Sequence, residues 1–283
     1  MDTDEIATRL VGAHMLLVSF CGILINFYMF YFFLKLQKTS FYVLCSSKTI
    51  SNSIILFAYL LYVGPINFFY SGFGSAVLSS YINQAMGYGI YLQGPITQLM
   101  ITVNRFLVVW ISAAKTTSDS TKVTVVALAF SWVFATWFST LLGLPDNCRV
   151  PVDLEHVGYT SSECSVQVID YLFLAVFLLG VFTNVLNVSI AIKLYLISKS
   201  SNLLSSRASK TRNKNRVYLF LQSCFQDWIA VLVILNNILA SMYCRSHVCT
   251  NLITMGLDVL HHVFVQLQIQ AKMKMPMNLR VLQ

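Results

Sequence analysis

The longest uncharged stretch of the chain is the feature that most restricts its fold. No Asp, Glu, Lys, Arg or His occurs from Thr49 to Asn104. About 20 apolar residues cross the hydrocarbon core of a bilayer, so this stretch is too long for one membrane-spanning helix. Turn-forming residues at Gly64-Pro65, Ser71-Gly72 and Gly74 divide it. It therefore predicts two neighbouring transmembrane helices joined by a short uncharged turn.

The composition extends this conclusion to the whole chain. Of 283 residues, 57% are apolar and 11% are charged, whereas a soluble domain carries about 25% charged residues. We predict an all-α membrane protein, a seven-transmembrane helix bundle. The expected spans cover residues 10–34, 42–66, 81–111, 123–144, 168–197, 217–242 and 248–267. In this division residues 1–9 form an extracellular N-terminus, 10–267 the seven-transmembrane domain and 268–283 a short cytoplasmic tail.

The placement of basic residues predicts the orientation of the bundle. Lys and Arg collect in cytoplasmic loops and at helix ends on that side. With the N-terminus outside, the other side holds only Arg9, Arg149 and Arg245. The cytoplasmic side then holds Lys35, Lys38, Lys48, Lys115, Lys122, Lys199, Arg207, Lys210, Arg212, Lys214, Arg216, Lys272, Lys274 and Arg280. We predict an N-out, C-in topology. The net charge of +8 reflects this asymmetry rather than a nucleic-acid-binding surface.

Four cysteines lie in predicted extracellular loops, where disulfides persist. Cys148 and Cys164 flank the loop between spans four and five, and Cys244 and Cys249 flank the turn between spans six and seven. Pairing within each loop is the simplest of the three possible connectivities. No Cys/His cluster has the spacing of a zinc site, so we expect neither a metal nor a cofactor.

Arg105 is a single cation within the apolar run 99–110. A charge at the bilayer centre costs roughly 2.5–3.5 kcal/mol even on lenient insertion scales. Two interpretations remain open. Arg105 either extends its long stem to the membrane surface as an anchor, or it meets a partner there.

Several polar residues fall within predicted spans. Asn26, Asn52, Asn184, Asn187 and Asp227 form a candidate intramembrane polar network, because buried amides and carboxyls bond across helices. An intramembrane carboxylate is also a functional-site candidate in itself. For Asp227, a hydrogen bond to Asn184 or Asn187 is one interpretation, and a sodium- or proton-dependent switch is the other.

The candidate ligand site lies on span three. Counting back from Arg105 along one helix face leads to Gln98 and Tyr91. The intervening Gly94-Pro95 predicts a kink near the outer half of the bundle. Tyr91 and Gln98 are therefore candidate ligand-binding residues, the alternative being that both line the core.

Several motifs resemble one known family, over about residues 15 to 260. The resemblance is to the nematode serpentine chemoreceptors of class X, within the rhodopsin-like superfamily of seven-transmembrane G-protein-coupled receptors. The motifs are Gly22-Ile23-Leu24-Ile25-Asn26, Thr39-Ser40-Phe41, Pro65 at the end of span two, Asn104-Arg105-Phe106, the run Phe220-Leu221-Gln222-Ser223-Cys224-Phe225-Gln226-Asp227, and Gly256-Leu257-Asp258.

This resemblance implies a multi-pass receptor of the plasma membrane and, by family, of the sensory cilium. It implies binding of an external small molecule and activation of a heterotrimeric G protein, with no enzymatic activity. Asn104, Arg105 and Phe106 would then form the G-protein coupling motif. Asn104 stands where the broader class has an acid, so Arg105 lacks that local counter-charge.

The last predicted span departs most from the family pattern. The run after Asp258 is short and polar, so we expect a weak or aberrant seventh span. Either a natural change in the gene or an error in the gene prediction would explain it. Two alternative functions remain open at this level. One is a membrane transporter or channel, and the other is a degraded family member that does not signal.

Overall fold

The computed structural model describes five long helical stretches and a small hairpin. The described residues are 3–36, 39–72, 75–111, 118–139, 152–153, 158–159 and 163–201, with Trp228, Leu232, Leu235, Asn236, Tyr243, Cys244, Cys249, Ile253, Gly256, Leu257, Val259 and Leu260. Within these residues the secondary structure is almost entirely helical. The five stretches correspond in order to the first five predicted spans.

Span one is the single helix α1, Thr3–Lys35. At 1.5 Å per residue it is about 50 Å long, which exceeds the roughly 30 Å hydrocarbon core. Residues 3–9, predicted as an extracellular N-terminus, form its first turns. Arg9 there contacts Glu5 across one turn, with 2.7 Å between Nη2 and Oε1.

Span two contains α2 (Ser40–Ala58), a π turn (Tyr59–Val63) and α3 (Gly64–Phe69). The sequence suggested that Pro65 ends this helix, but the helix continues past it to Phe69. A proline removes one backbone hydrogen bond from a regular helix. The π turn directly before Pro65 changes the pattern of these bonds, and the helix continues. It ends instead where Tyr70 adopts the left-handed conformation, with φ 51°.

Span three contains α4 (Ala76–Gln84), a π turn (Ala85–Gly89) and α5 (Ile90–Ile111). Its irregular turn precedes the predicted kink at Gly94-Pro95, and Pro95 lies inside α5.

Spans four and five are α6 (Ser118–Ser139) and α7 (Glu163–Ser201). Between them β1 (Val152–Asp153) pairs antiparallel with β2 (Gly158–Tyr159). In the part of the chain that the structure describes, four stretches are long and apolar enough to cross a membrane, namely Glu5–Lys35, Ser40–Phe69, Thr121–Phe138 and Val166–Ile197.

The largest apolar cluster joins spans one and two to the predicted seventh span. Met15 of α1 and Leu56 of α2 are fully buried there, together with Val259. Gly12 of α1 touches span two so closely that a Cβ atom would lie 2.3 Å from the Phe68 backbone nitrogen. The helical residue Val259 is therefore part of the core, although a weak seventh span was expected. Asp258 and residues 261–267 lie outside the described residues.

Span three is the central helix of the described bundle. Ile101 of α5 packs with Leu44 of α2 in one apolar cluster. On another face, Leu92 of α5 packs with Leu172 and Val176 of α7. The helix α5 is therefore packed between span two and span five.

Candidate functional site

The inner end of span three presents Arg105 to an aromatic ring of span two. Its guanidinium carbon lies 5.1 Å from the ring centroid of Phe41, the second residue of α2. A cation over an aromatic face is stabilised by about 0.5–1 kcal/mol when exposed and by about 2 kcal/mol when desolvated. Arg105 is half-buried. Arg105 thus has a cation–π contact with Phe41, whereas its sequence neighbour Asn104 carries no negative charge.

The next residue joins spans three and five. The Phe106 ring stacks on Trp110, with centroids 5.6 Å apart and an interplanar angle of 28°. Phe106 also packs against Ile190 and Leu194 of α7. Lys193 of α7 places its Nζ 4.9 Å from the Trp110 ring centroid. The candidate coupling motif therefore lies between the ends of two helices, in contact with both.

A lysine inside the bundle contacts span three two turns before Arg105. Lys48 Nζ donates a hydrogen bond to Gln98 Oε1. Lys48 was assigned to the cytoplasmic set, but it lies within α2, more than two turns after Ser40. Gln98 was predicted to bind ligand in the outer half. The structure places Gln98 in this interhelical contact, because the long lysine stem reaches across from α2. A ligand role for Gln98 stays a prediction.

Further polar contacts hold span four against spans two and three. Trp132 Nε1 donates to Ser47 Oγ at 2.8 Å. The Gln93 carboxamide lies 2.9 Å from Ser131 Oγ and 3.3 Å from Thr97 Oγ1. Gln93 is fully buried. These bonds satisfy polar groups that would otherwise face hydrocarbon, so they stabilise the arrangement of the three helices.

The predicted asparagine network has a different geometry. The amides of Asn26 and Asn184 each donate to the carbonyl oxygen four residues earlier in their own helix, at 2.8 and 2.9 Å. A short amide reaches that carbonyl without help from a neighbouring helix. Asn52 and Asn187 are buried, and Asp227 lies outside the described residues. Interhelical bonds between described residues are also made by the side chains discussed above. A network that joins these asparagines to Asp227 stays a prediction.

The outer half of span three contains two polar side chains that the sequence analysis missed. Gln84 is fully buried, and among the described residues neither its amide nitrogen nor its amide oxygen has a hydrogen-bond partner. The buried Tyr88 hydroxyl likewise has none in the described part of the chain. Buried polar atoms without partners are uncommon in proteins and call for an explanation such as a function or an unseen ligand.

The π turn Ala85–Gly89 begins directly after Gln84 and contains Tyr88, and such turns occur frequently at functional sites. Tyr91, the predicted ligand residue, lies one turn further on and is half-buried against the cluster formed by Tyr88 and Leu172. The spacing of Gln84, Tyr88 and Tyr91 places them on one helix face. That face could have been found in the sequence by counting two turns further back.

Cys244 and Cys249 form a disulfide, with their Cα atoms 5.5 Å apart. Cys164 is also disulfide-bonded, and Cys148, its predicted partner, lies outside the described residues. No group of three or more His, Cys, Asp or Glu side chains arranged to hold a metal ion occurs in the described part of the chain.

Comparisons with known proteins agree with this architecture. The family model for the "Serpentine type 7TM GPCR chemoreceptor Srx" matches residues 16–264. The crystal structure of squid rhodopsin is similar, with a TM-score of 0.64 and 14% sequence identity, over 94% of this chain and 82% of that chain. No curated protein is similar enough in sequence to count as a relative.

The structural likeness and the apolar helices confirm the predicted fold, an all-α seven-transmembrane bundle in a lipid bilayer. The family match continues six residues past Asp258 and confirms the resemblance seen in the sequence motifs. The chain belongs to the Srx family of serpentine seven-transmembrane chemoreceptors.

Proposed function

We propose that this receptor binds an external small molecule in the outer half of span three and activates a heterotrimeric G protein at the inner end. One observation supports the proposal above the others. A single span carries Arg105 near one end and, near the other, the buried amide of Gln84, which has no hydrogen-bond partner among the described residues. Their separation along the helix is about 31 Å, which matches the thickness of the hydrocarbon core.

The ligand end favours a neutral molecule with hydrogen-bonding groups. Gln84 offers both a donor and an acceptor, and the Tyr88 hydroxyl offers either. An apolar cavity with a few polar groups orients a small ligand. A buried amide without hydrogen bonds raises the free energy of the bundle. A ligand that forms a hydrogen bond with Gln84 would remove this cost, so the ligand-bound state would be favoured.

The coupling end requires an equilibrium between two arrangements of the bundle. A ligand shifts such an equilibrium only through a difference in its affinity for the two states. In the resting arrangement Arg105 contacts Phe41. In the active arrangement the inner ends of the helices separate, and Arg105 with its neighbours Asn104 and Phe106 meets the G protein. This is a receptor function without catalysis.

The function requires an N-out, C-in receptor at the plasma membrane, and the sensory cilium is the site that the family suggests. An epitope tag before residue 3 should be accessible to antibody on intact cells, and a tag after residue 283 only on permeabilised cells. Staining of the C-terminal tag on intact cells would contradict the topology.

The coupling step can be tested with Arg105→Ala. Ligand-independent dissociation of a co-expressed heterotrimer is measured by energy transfer between its subunits and normalised to surface receptor. We expect the signal to be lost at equal surface expression. Lys35→Ala is the matched control, because Lys35 is also a cation over a ring, 4.2 Å from the Tyr31 centroid. Full signalling by Arg105→Ala would reject the coupling role.

The ligand step can be tested with Gln84→Leu. A panel of neutral volatile and polar small molecules is screened on the wild-type receptor. For any molecule that activates it, Gln84→Leu should raise the half-maximal concentration at least about fivefold, since removing a buried hydrogen bond costs about 1–3 kcal/mol. Leu78→Ala, an exposed position on α4, is the control. An unchanged dose response in Gln84→Leu would remove Gln84 from the ligand site.

A further inference from the structure

An open apolar groove lies between spans three and four. Its volume is about 730 Å³. Ile96 and Met100 of α5 form one side, and Val126 and Phe130 of α6 form the other. Phe134 lies at one end and Lys122 at the opposite end, both on α6. As far as its described lining shows, the groove is a long, largely apolar slot with one cation, Lys122, at one end.

The open side of this groove faces the lipid. Spans four and five pack little against each other along their described lengths, whereas α5 packs extensively against α7. Val126 and Phe130 are exposed by 69% and 75% of their surfaces. Such large apolar exposure at membrane depth means that acyl chains can enter the groove from the side.

The length of the groove matches one leaflet of the bilayer. Lys122 and Phe134 are about 18 Å apart along α6 at 1.5 Å per residue. Half of a hydrocarbon core about 30 Å thick is roughly 15 Å. Lys122 lies in the first turns of α6, at the end of the bundle where Arg105 lies on α5.

We propose that this groove binds one phospholipid of the cytoplasmic leaflet that has an anionic headgroup. One acyl chain lies between spans three and four, and the headgroup phosphate and carboxylate bind the Lys122 ammonium. Lys122 is the charged side chain among the described residues that line the groove, and its positive charge is complementary to an anionic headgroup. Basic sites between helices on the cytoplasmic side are suited to such headgroups.

The proposal rests on the N-out topology but not on G-protein coupling. It is tested on the purified full chain in phosphatidylcholine nanodiscs. Each preparation contains a small fraction of a photoreactive lipid with either a phosphatidylserine or a phosphatidylcholine headgroup and identical acyl chains. Crosslinked peptides are quantified by mass spectrometry. We expect the phosphatidylserine probe to label α6 in the groove about fivefold more than the phosphatidylcholine probe, the effect of one lysine near the membrane surface.

Three variants make the test specific. Lys122→Gln should abolish the headgroup preference, while Lys35→Gln, at the same end of the bundle on α1, should keep it. Ala127→Phe, which fills the groove, should reduce labelling by both probes. Variants are compared only as monodisperse receptor, and Lys122→Met replaces Lys122→Gln if the latter aggregates.

Equal labelling by the two probes would overturn the proposal, as would a preference that persists without Lys122. Crosslinks from α6 to a second receptor copy, in place of lipid, would assign the groove to a dimer interface and also overturn it. A loss of headgroup preference with intact G-protein activation would leave the proposed receptor function standing. The two proposals can thus fail separately.

Discussion

Replacing Phe41 should make the receptor more active in the absence of ligand. The Arg105 guanidinium carbon lies 5.1 Å from the Phe41 ring centroid, and Asn104 supplies no competing charge. In Phe41→Leu the apolar contact with the neighbouring core persists, but the aromatic face is lost. Arg105 then loses a contact that belongs to the resting arrangement.

The expected size follows from the cation–π energy at a half-buried site. We take about 1 kcal/mol, between the exposed and desolvated limits. That energy changes the ratio of active to resting receptor about fivefold. If about 1% of the receptor is active without ligand, the fraction rises to about 5%. A fully desolvated contact of about 2 kcal/mol would raise the ratio about thirtyfold.

The assay is ligand-independent heterotrimer dissociation per surface receptor. Phe41→Tyr is the matched control, because it keeps the aromatic face, and it should behave as wild type. Phe69→Leu, an exposed aromatic residue at the other end of span two, controls for general loss of a ring. Basal activity that is unchanged or lower in Phe41→Leu at equal surface expression would refute the reasoning.

Three further predictions concern stability, measured as thermal unfolding of purified receptor. Gly12→Ala should lower the stability of the receptor by about 1–3 kcal/mol, because a Cβ atom there would lie 2.3 Å from the backbone of span two. Gly94→Ala is the control and should be neutral or stabilising, because a Cβ atom there has no neighbour within 4 Å. Equal effects of the two substitutions would contradict the close approach at Gly12. Gln84→Leu should raise stability by about 1–3 kcal/mol since it removes a buried amide that has no partner in the described part of the chain, and a loss would show that the amide is bonded. Replacing Cys244 and Cys249 by Ser should cost about 2 kcal/mol, as expected for a short loop, and no change would mean that the bond is not structural.

Much of the fold was predictable because membrane helices have a simple signature. The uncharged stretch after Lys48 had to contain two spans, and the helices 40–69 and 76–111 lie where it predicted them. Local rules failed at two places. Pro65 was expected to end a helix and does not, and the irregular turn of span three precedes Gly94-Pro95. In both spans a π turn changes the register of the backbone, and no periodicity in side chains reports it.

The candidate site was predictable in outline only. Arg105 could be singled out because a lone cation in an apolar run has an energetic cost wherever the helix packs. Its neighbour across the bundle, Phe41, could not be identified, because that contact depends on the approach of α2 to α5. For the same reason the sequence could not show that Gln98 contacts Lys48. Gln84, by contrast, could have been found by following the helix face of Tyr91 two turns further back.

Composition and charge placement were enough to predict that this chain crosses a membrane as a helical bundle, and its motifs carried the family resemblance. Burial in lipid forces each span to satisfy its own backbone, so composition and the positions of charges are enough for those conclusions. Which side chains meet depends on how the helices pack together. Phe41 lies under Arg105, Lys48 bonds to Gln98, and Gln84 has no described partner, because contacts between helices depend on rotation and approach distances that no single helix specifies.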